Sequence, residues 1–388
     1  MTAASPPHAL GDDLALASRP TAGLRVALVH DWLTGMRGGE KVLEVLCELY
    51  PRADIFTLVH VPGSVSRTIE RHRIRTSFIQ HLPRGPVYYR NYLPLFPAAV
   101  EQFQLDGYDL VLSSSHCVTK SAVKRPSARH ICYCHTPMRY AWDQFDAYFG
   151  PARVGAVKSA LLRPVMRGLA RWDRATARRV DEYMTNSRHV ASRIRRYYNR
   201  EAAVVYPPVN TTFYHPDATQ PGDYVLVVSA LVPYKRVERA VEACRLARLP
   251  LRIVGAGPET RRLREMAGSD VQLLGSRSDE EIRQLYRGAA VVAMPGEEDF
   301  GIVPLEAQAC GRPVVALGRG GALETVVDGV TGVLVSEDSA AAFADGLATA
   351  ARRTFDPVAI REHAVAFSRE RFATEMAARI EELYARAW

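Results

Sequence analysis

Short apolar runs recur along this chain, and most are followed by a longer segment in which apolar residues repeat at helical spacing. Such runs, bounded by glycine, proline and polar residues, predict buried strands. The strands predicted in the first half are 25–30, 54–58, 109–113, 130–134, 181–186 and 203–206. Those predicted in the second half are 224–229, 251–255, 271–274, 290–294, 313–317 and 332–335. Strand–helix alternation in both halves predicts an α/β protein with two doubly wound, Rossmann-like domains.

The intervening segments predict helices at 41–49, 151–179, 187–199, 236–248, 259–267, 279–287, 303–310 and 321–327, with a last one at 369–387. Residues 61–103 predict mostly loop and short helix, and Pro164 is expected to start or kink a helix. The stiff pair Pro207-Pro208 predicts the boundary between domains at 23–207 and 208–370. Residues 1–22, rich in Ala, Pro and Ser, predict a disordered tail and not a signal peptide.

The stretch 291–314, VVAMPGEEDFGIVPLEAQACGRPV, predicts a buried strand, an acidic turn and a helix that starts near Pro304. Glu298 and Glu306 bracket the turn, at the carboxyl end of a strand where open parallel sheets bind ligands. Free backbone N–H groups at the helix start can hold an anion, and carboxylates accept hydrogen bonds from sugar hydroxyls. The N–H groups in question are those of Phe300, Gly301, Ile302 and Val303. The stretch therefore predicts a ligand with phosphate and hydroxyls. The alternative is an acidic loop followed by a surface glutamate.

Other polar residues follow strands that are expected to end at the same edges. Lys235 and Arg236 follow the first strand of the second domain, where cations suit a diphosphate. Gly255 and Gly257 follow the next strand, and Gly38 and Gly39 begin a helix in the first domain; such glycines allow close approach of a backbone to a ligand. His135 follows the strand 130–134 directly. A histidine there is predicted to serve the ligand, although a lone histidine is usually structural.

Composition narrows the class of protein. The chain has 388 residues, of which 47% are hydrophobic and 24% charged, as in ordinary globular proteins. No apolar run approaches the roughly 20 residues that a membrane-spanning helix needs. The six cysteines, including Cys132 and Cys134, lack the spacing of a metal site or a disulfide framework, and this favours buried thiols and a cytoplasmic location.

The positive charge is concentrated in one segment. The formal net charge is +8, but residues 151–200 hold 13 lysines and arginines against 3 acids, a net +10, which leaves −2 for the rest. Basic residues alternate there with apolar ones, a pattern that suits an anionic membrane surface, so peripheral binding at the inner face of the cytoplasmic membrane is predicted. The alternative is a packed helix with a solvated basic face. Nucleic acid is not expected as a partner because no recognition motif is present.

Three motifs give a resemblance to a known family. The pattern E-D-F-G-I-V-P-L-E at 298–306 resembles the signature of glycosyltransferase family 4. The motifs HDWLTGMRGGEK and CHTPMRYAWD resemble those of bacterial mannosyltransferases that build O-antigens, capsules and exopolysaccharides. The resemblance implies a GT-B fold, with two Rossmann-like domains facing each other across a cleft. It also implies a final helix, 371–388, that crosses back to the first domain.

The same resemblance implies roles for the candidate residues. Glu298 would meet the donor sugar, Glu306 the ribose, and His135 the transferred sugar. Lys235 and Arg236 would stabilise the leaving phosphate. Gly255 and Gly257 would lie near the nucleotide, and Gly38 and Gly39 would line the diphosphate and acceptor side. The second domain would bind the donor and the first would bind the acceptor.

The implied activity is retaining transfer of a hexose from a nucleotide sugar, with GDP-mannose as the first choice and UDP-hexoses second. The acceptor would be a glycan or a lipid-diphosphate-linked glycan. No Asp-x-Asp pair is present, so no metal or other cofactor is expected. The chain departs from the family at Ala230, where an arginine is usual, and at Arg236, where a glycine is usual. Two alternatives of other classes are a nucleotide-sugar 2-epimerase and a non-catalytic sugar-nucleotide-binding protein.

Overall fold

The structure is a computed structural model, and it describes residues 23–386. The tail predicted at 1–22 lies outside the described residues. The chain forms two compact units. The first comprises Met1–Cys134, Trp172–Met184 and Ala373–Trp388, and the second comprises His135–Arg171 and Thr185–Phe372.

The second unit includes two segments that precede the boundary predicted at Pro207-Pro208, namely 135–171 and 185–207. Hydrogen bonds and ion pairs explain this grouping. Arg139 pairs with Asp299, and the backbone N–H groups of Arg188 and His189 donate to Glu324, at 2.9 and 3.1 Å. Both segments are thus attached to residues of the second half of the chain, Asp299 in a loop and Glu324 in the helix Ala322–Thr325.

The first sheet has seven strands in the order β3-β2-β1-β4-β5-β6-β7. They are β1 (Val26–His30), β2 (Asp54–Thr57), β3 (Ile74–Thr76), β4 (Leu110–Ser115), β5 (Arg129–Cys134), β6 (Glu182–Thr185) and β7 (Ala203–Val204). The pairs β1–β2, β2–β3, β1–β4 and β4–β5 are parallel, with Leu28 opposite both Ile55 and Leu112. Strands β1 and β4 are buried along their whole length, as expected for a parallel sheet covered on both faces.

The second sheet has six strands in the order β10-β9-β8-β11-β12-β13, all parallel where they pair. They are β8 (Val225–Val228), β9 (Leu251–Val254), β10 (Val271–Gly275), β11 (Val291–Met294), β12 (Val314–Leu317) and β13 (Gly332–Val335). Alternate residues of a strand face opposite sides: Val225 and Val227 pack in one apolar cluster, while Leu226 packs in another. The predicted α/β fold with two parallel sheets is therefore confirmed.

The helices before residue 200 are Gly38–Leu49, Arg67–Glu70, Gly85–Tyr88, Phe96–Glu101, Arg139–Trp142, Phe145–Phe149, Pro151–Val154, Ala156–Thr176 and Arg188–Tyr198. Those after it are Val237–Ala247, Thr260–Met266, Asp279–Gly288, Ile302–Ala309, Ala322–Thr325, Ala340–Arg352, Pro357–Val365 and Arg369–Ala385. In the described part of the chain, no helix combines the length and the apolar character needed to cross a membrane.

Several elements differ from the sequence prediction. Strand β3, the helices at 139–149 and those at 340–352 and 357–365 are absent from the prediction. The helix predicted at 151–179 is interrupted at Gly155, whose φ of +83° favours glycine. Pro164 lies inside the continuous helix Ala156–Thr176 and does not start one.

Strand order positions the site of the second unit. Strands β9 and β10 lie on one side of β8, and β11 to β13 lie on the other. The chain therefore leaves β8 and β11 in opposite directions, and the carboxyl ends of these two neighbouring strands flank a crevice. The segment 229–236 follows β8 and the segment 295–301 follows β11, so their residues meet at this switch point.

Candidate active site

The acidic turn after β11 lies where the sequence predicts it. Strand β11 ends at Met294, and the helix Ile302–Ala309 begins after Gly301. Gly301 has a φ of +93°, in the region that favours glycine. The helix extends for eight residues, and the N–H groups of its first turn have no partner inside the helix. Phe300, Gly301, Ile302 and Val303 therefore form a helix start suited to an anion.

A second glycine pair, which the sequence prediction missed, holds this turn. The Gly321 N–H donates to the Glu298 carbonyl oxygen at 2.8 Å, and Glu298 and Gly320 form an isolated β-bridge. A Cβ atom on Gly321 would lie 2.3 Å from the Phe300 carbonyl oxygen. The pair Gly320–Gly321 lies in the loop after strand β12, and this position after a strand was the available signal.

Lys235 and Glu298 form an ion pair at the switch point. Lys235 ends a 3-10 turn, Pro233–Lys235, after strand β8. Its ammonium group contacts the Glu298 carboxylate, and both side chains are largely buried. Gly296 makes the approach possible, because a Cβ atom there would lie 2.8 Å from the Lys235 Cα atom. The structure therefore brings together two residues that the sequence predicts as catalytic.

Arg236 points to different partners. Its φ of +53° lies in the left-handed region, which explains why glycine suits this position. Its guanidinium group lies 3.2 Å from carboxylate oxygens of both Glu238 and Asp338. Arg236 also lines a cavity of about 630 Å³, together with Tyr234, Glu297 and Arg319. Its predicted role at the leaving phosphate stays a prediction.

Glu306 lies inside the helix that starts at the anion site. It is 6% exposed, and the Tyr286 hydroxyl donates to its carboxylate at 3.1 Å. Burial raises the pKa of Tyr286 well above its ordinary value, and the charge of Glu306 adds to this effect, so the phenol stays a donor. Tyr286 thus holds in place one carboxylate oxygen of Glu306, the residue that is predicted to bind the ribose.

Hydrogen bonds of Asn186 and Ser187 link the His135 backbone to the acidic turn. The Asn186 side chain donates to the His135 carbonyl oxygen at 3.0 Å. The neighbouring Ser187 hydroxyl, which caps the helix Arg188–Tyr198, donates to the Asp299 carbonyl oxygen at 2.6 Å. Two adjacent side chains therefore connect the His135 backbone to the turn that contains Glu298 and Asp299.

Gly255 and Gly257 have a packing reason for being glycine. A Cβ atom on Gly255 would lie 1.8 Å from the Ser229 carbonyl oxygen, and one on Gly257 would lie 2.3 Å from the Leu231 carbonyl oxygen. The Leu231 N–H also donates to the Ala256 carbonyl oxygen at 3.0 Å. These glycines allow the loop after β8 to pass close to the loop after β9. Their contact with a nucleotide stays a prediction.

Gly38 and Gly39 belong to the first unit, where they begin the helix Gly38–Leu49. The Arg37 N–H donates to the Glu40 carboxylate at 3.0 Å, and Glu40 lies 3.7 Å from the His30 ring. Burial raises the pKa of Glu40, but the contact and charge of His30 outweigh it, and the pKa is lowered overall. The predicted contact of the two glycines with substrate stays a prediction.

The first unit also holds a buried carboxylate that the sequence prediction missed. Asp31 follows β1 and accepts hydrogen bonds from the backbone N–H groups of residues 116–119, at 2.7 to 3.1 Å. His116 lies 3.3 Å from the same carboxylate, and burial lowers its pKa although Asp31 opposes the shift. Asp31 therefore fixes the loop after β4. The position of Asp31 directly after strand β1 was the sequence signal that could have identified it.

Residues 139–154 form a segment, here called the covering segment, that the sequence prediction did not connect to the site. Arg139 donates to the Asp299 carboxylate at 2.8 Å through Nε, and Arg153 pairs with Glu259 at 2.6 Å. The Tyr148 and Tyr234 rings stack with centroids 6.0 Å apart. The covering segment therefore contacts the loops after β8, β9 and β11.

No group of three or more His, Cys, Asp or Glu side chains within residues 23–386 is arranged to hold a metal ion.

Comparison with known proteins identifies the family. The family profile "Glycosyltransferase Family 4" matches residues 36–213, and "Glycosyl transferases group 1" matches residues 216–364. A D-inositol 3-phosphate glycosyltransferase of Geodermatophilus obscurus is 30% identical over 323 residues, which is 69% of this chain and 71% of that protein. An uncharacterized glycosyltransferase of Methanocaldococcus jannaschii is 28% identical over 166 residues; the match covers 41% of this chain but 46% of that protein.

Solved structures share the fold. The structure of the Anabaena protein HepE in complex with UDP-glucose has a TM-score of 0.67 at 18% identity, and the match covers 92% of this chain and 99% of that one. At this identity the likeness shows the fold, which is GT-B. The chain belongs to the GT-B glycosyltransferases in which a family 4 amino-terminal domain precedes a group 1 domain.

Proposed function

We propose that this glycosyltransferase is a retaining, metal-independent hexosyltransferase of cell-surface polysaccharide synthesis. It takes the hexose from a nucleotide sugar and transfers it to a glycan or to a lipid-diphosphate-linked glycan. The observation that carries the proposal is the Lys235–Glu298 ion pair beside the helix start at residue 302, with Glu306 in the same helix. This arrangement offers a cation and N–H groups for phosphate, and carboxylates for sugar hydroxyls.

In the proposed reaction the acceptor oxygen forms a bond to C1 of the donor hexose, and the bond between C1 and the diphosphate oxygen breaks. The acceptor proton passes to the departing diphosphate on the same face, so the anomeric configuration is retained. Lys235 and the N–H groups of Phe300, Gly301, Ile302 and Val303 stabilise the charge that develops on the diphosphate. Glu298 and His135 orient the hexose, and Glu306 binds the ribose.

GDP-mannose is the proposed donor, on the resemblance of the motifs to those of bacterial mannosyltransferases. UDP-hexoses are the second candidate, because the fold neighbour HepE was solved with UDP-glucose. The relative from Geodermatophilus obscurus is named for an inositol phosphate acceptor, which makes a phosphorylated polyol a further acceptor to test.

A thermal-shift panel of GDP- and UDP-sugars tests the donor, because a ligand that binds the native state raises the midpoint of unfolding. GDP-mannose is expected to give the largest shift, and Glu306→Gln is expected to reduce it. A larger shift with a UDP-hexose would replace the donor assignment. No shift with any nucleotide sugar would contradict donor binding at this site.

The helix Ala156–Thr176 supports the proposed location at a membrane. Val157 is 77% exposed and Leu161 is 67% exposed, and Val165 continues the stripe at the same spacing of four residues. Lys158, Arg167 and Arg171 are exposed beside the stripe. An exposed apolar stripe next to basic side chains fits an anionic lipid surface, where a lipid-linked acceptor is held. We infer peripheral binding of this helix at the inner face of the cytoplasmic membrane.

A further inference from the structure

The anion site departs from the family pattern in one cation. Position 230 holds an alanine where the family usually has an arginine, and Ala230 is exposed. Arg236, the basic residue after Lys235, directs its guanidinium group to Glu238 and Asp338. A nucleoside diphosphate carries more negative charge than one lysine neutralises, so a second cation near Lys235 would strengthen its binding.

Arg139 of the covering segment shares a neighbour, the Tyr234 ring, with Lys235. Both cations contact the ring of Tyr234: the Arg139 guanidinium carbon lies 4.9 Å from its centroid and the Lys235 ammonium nitrogen 5.4 Å. Each cation also pairs with one of two adjacent carboxylates, Lys235 with Glu298 and Arg139 with Asp299. The two positive groups thus lie beside the turn that precedes the helix start.

Burial makes this arginine unlike a surface one. The Arg139 and Asp299 side chains are each 12% exposed. Burial alone lowers the pKa of Arg139, but Asp299, Tyr234 and Glu298 raise it overall, so the guanidinium stays charged. A charged, planar donor with several N–H groups, partly removed from water, is suited to bind a phosphate oxygen strongly.

We propose that Arg139 is the second cation of the diphosphate site and takes the place of the arginine that the family carries at position 230. Asp299 holds its guanidinium group beside the site in the absence of the diphosphate. The proposal rests on the proposed function and deepens it, since the ligand is the diphosphate of the same donor.

A purely structural role for Arg139 predicts something different. Arg139 then only fastens the covering segment, as Arg153 does through Glu259 at 2.6 Å. Arg153 belongs to the same covering segment and, like Arg139, pairs with one acid outside it, so Arg153→Gln is a matched control. The two roles predict different affinities for nucleotides. If Arg139 only fastens the covering segment, its loss should weaken nucleoside diphosphates and monophosphates alike.

Calorimetric titration with GDP, GMP, UDP and UMP separates these roles. In Arg139→Gln, the affinity for the nucleoside diphosphate that the wild type prefers is expected to fall about ten- to hundredfold, as for loss of a charged hydrogen bond. The affinity for the corresponding monophosphate should fall much less. Arg153→Gln should keep both affinities within about threefold of the wild type. Adding Ala230→Arg to Arg139→Gln should restore at least part of the lost diphosphate affinity.

The proposal is overturned if Arg139→Gln binds the diphosphate as the wild type does. It is also overturned if both ligands weaken equally and Arg153→Gln behaves in the same way. Arg139→Lys serves if Arg139→Gln does not fold; it keeps the charge and is expected to retain part of the preference for diphosphate. A wild type that binds neither diphosphate contradicts the proposed function itself, and this inference with it.

Discussion

Lys235 and Glu298 form an ion pair although 63 residues separate them in the chain. The pair exists because strands β8 and β11 are neighbours in the second sheet and the chain leaves them in opposite directions. Glycine at position 296 completes the geometry, since any side chain there would collide with the backbone of Lys235. A topological feature of the sheet therefore places the cation beside the acidic turn.

The acidic turn depends on Gly321, and Gly321→Ala is expected to lower the free energy of unfolding by about 1–3 kcal/mol. The reason is steric: the φ of −67° suits any residue, but a Cβ atom would lie 2.3 Å from Phe300. Gly268→Ala is the control, because a Cβ atom there meets nothing within 4 Å. Urea unfolding measures both variants. Equal stability of the two would refute the steric argument.

Chelation tests the proposed charge neutralisation by cations and N–H groups. Transfer is expected to continue unchanged in excess EDTA, since Lys235 and the helix start at residue 302 stabilise the leaving diphosphate. Initial rates measured with and without EDTA provide the check. If EDTA abolishes transfer and magnesium or manganese restores it, a metal ion performs that task.

Liposome flotation tests the membrane-binding helix. Recovery with anionic vesicles should exceed recovery with neutral ones and should fall at high salt, because the Debye length shrinks from about 10 Å at 0.1 M to about 3 Å at 1 M. Leu161→Glu should reduce recovery, whereas Leu246→Glu should not. Leu246 is 58% exposed but lies on a different helix, Val237–Ala247, so Leu246→Glu controls for the loss of an exposed leucine. Equal recovery with both kinds of vesicle would refute the proposal.

Acid is expected to destabilise the protein through His130. Burial lowers the pKa of His130 to about 3, and its ring nitrogen lies 2.8 Å from the Ser113 hydroxyl. Between pH 6.5 and pH 3 the unfolded chain binds a proton that the folded chain does not bind. Stability is therefore lost as the pH falls through this range, by about 1.4 kcal/mol per pH unit for one such group.

The comparison of variants isolates this contribution. Between pH 7 and pH 5, the wild type is expected to lose about 2 kcal/mol more free energy of unfolding than His130→Gln loses. His81→Gln should follow the wild type, since His81 is exposed. If His130→Gln and the wild type lose stability in parallel, His130 does not carry the effect.

Periodicity alone predicted both sheets, because buried parallel strands are apolar along their whole length, as in β1 and β11. It also indicated the acidic turn, where glycine, acids and proline follow one another at 296–304. What it could not provide was contact between distant segments. The Arg139–Asp299 pair joins residues 160 apart, and the periodic pattern of neither segment indicates the other. Periodicity also could not predict where the Arg236 guanidinium group points, because this depends on Asp338 in a loop after β13.

Glu298 is proposed to act on a nucleotide-sugar donor, and the transfer rate of Glu298→Gln tests this role. The amide keeps the shape of the side chain but loses the charge that pairs with Lys235 and accepts sugar hydroxyls. Glu265→Gln is the control, because Glu265 is an acid away from this turn and is 65% exposed. Release of nucleoside diphosphate from the preferred donor, measured with a competent acceptor, should fall at least about tenfold in Glu298→Gln and stay within about threefold in Glu265→Gln. An unchanged rate in Glu298→Gln, with its fold intact by circular dichroism, would show that Glu298 does not act on the donor.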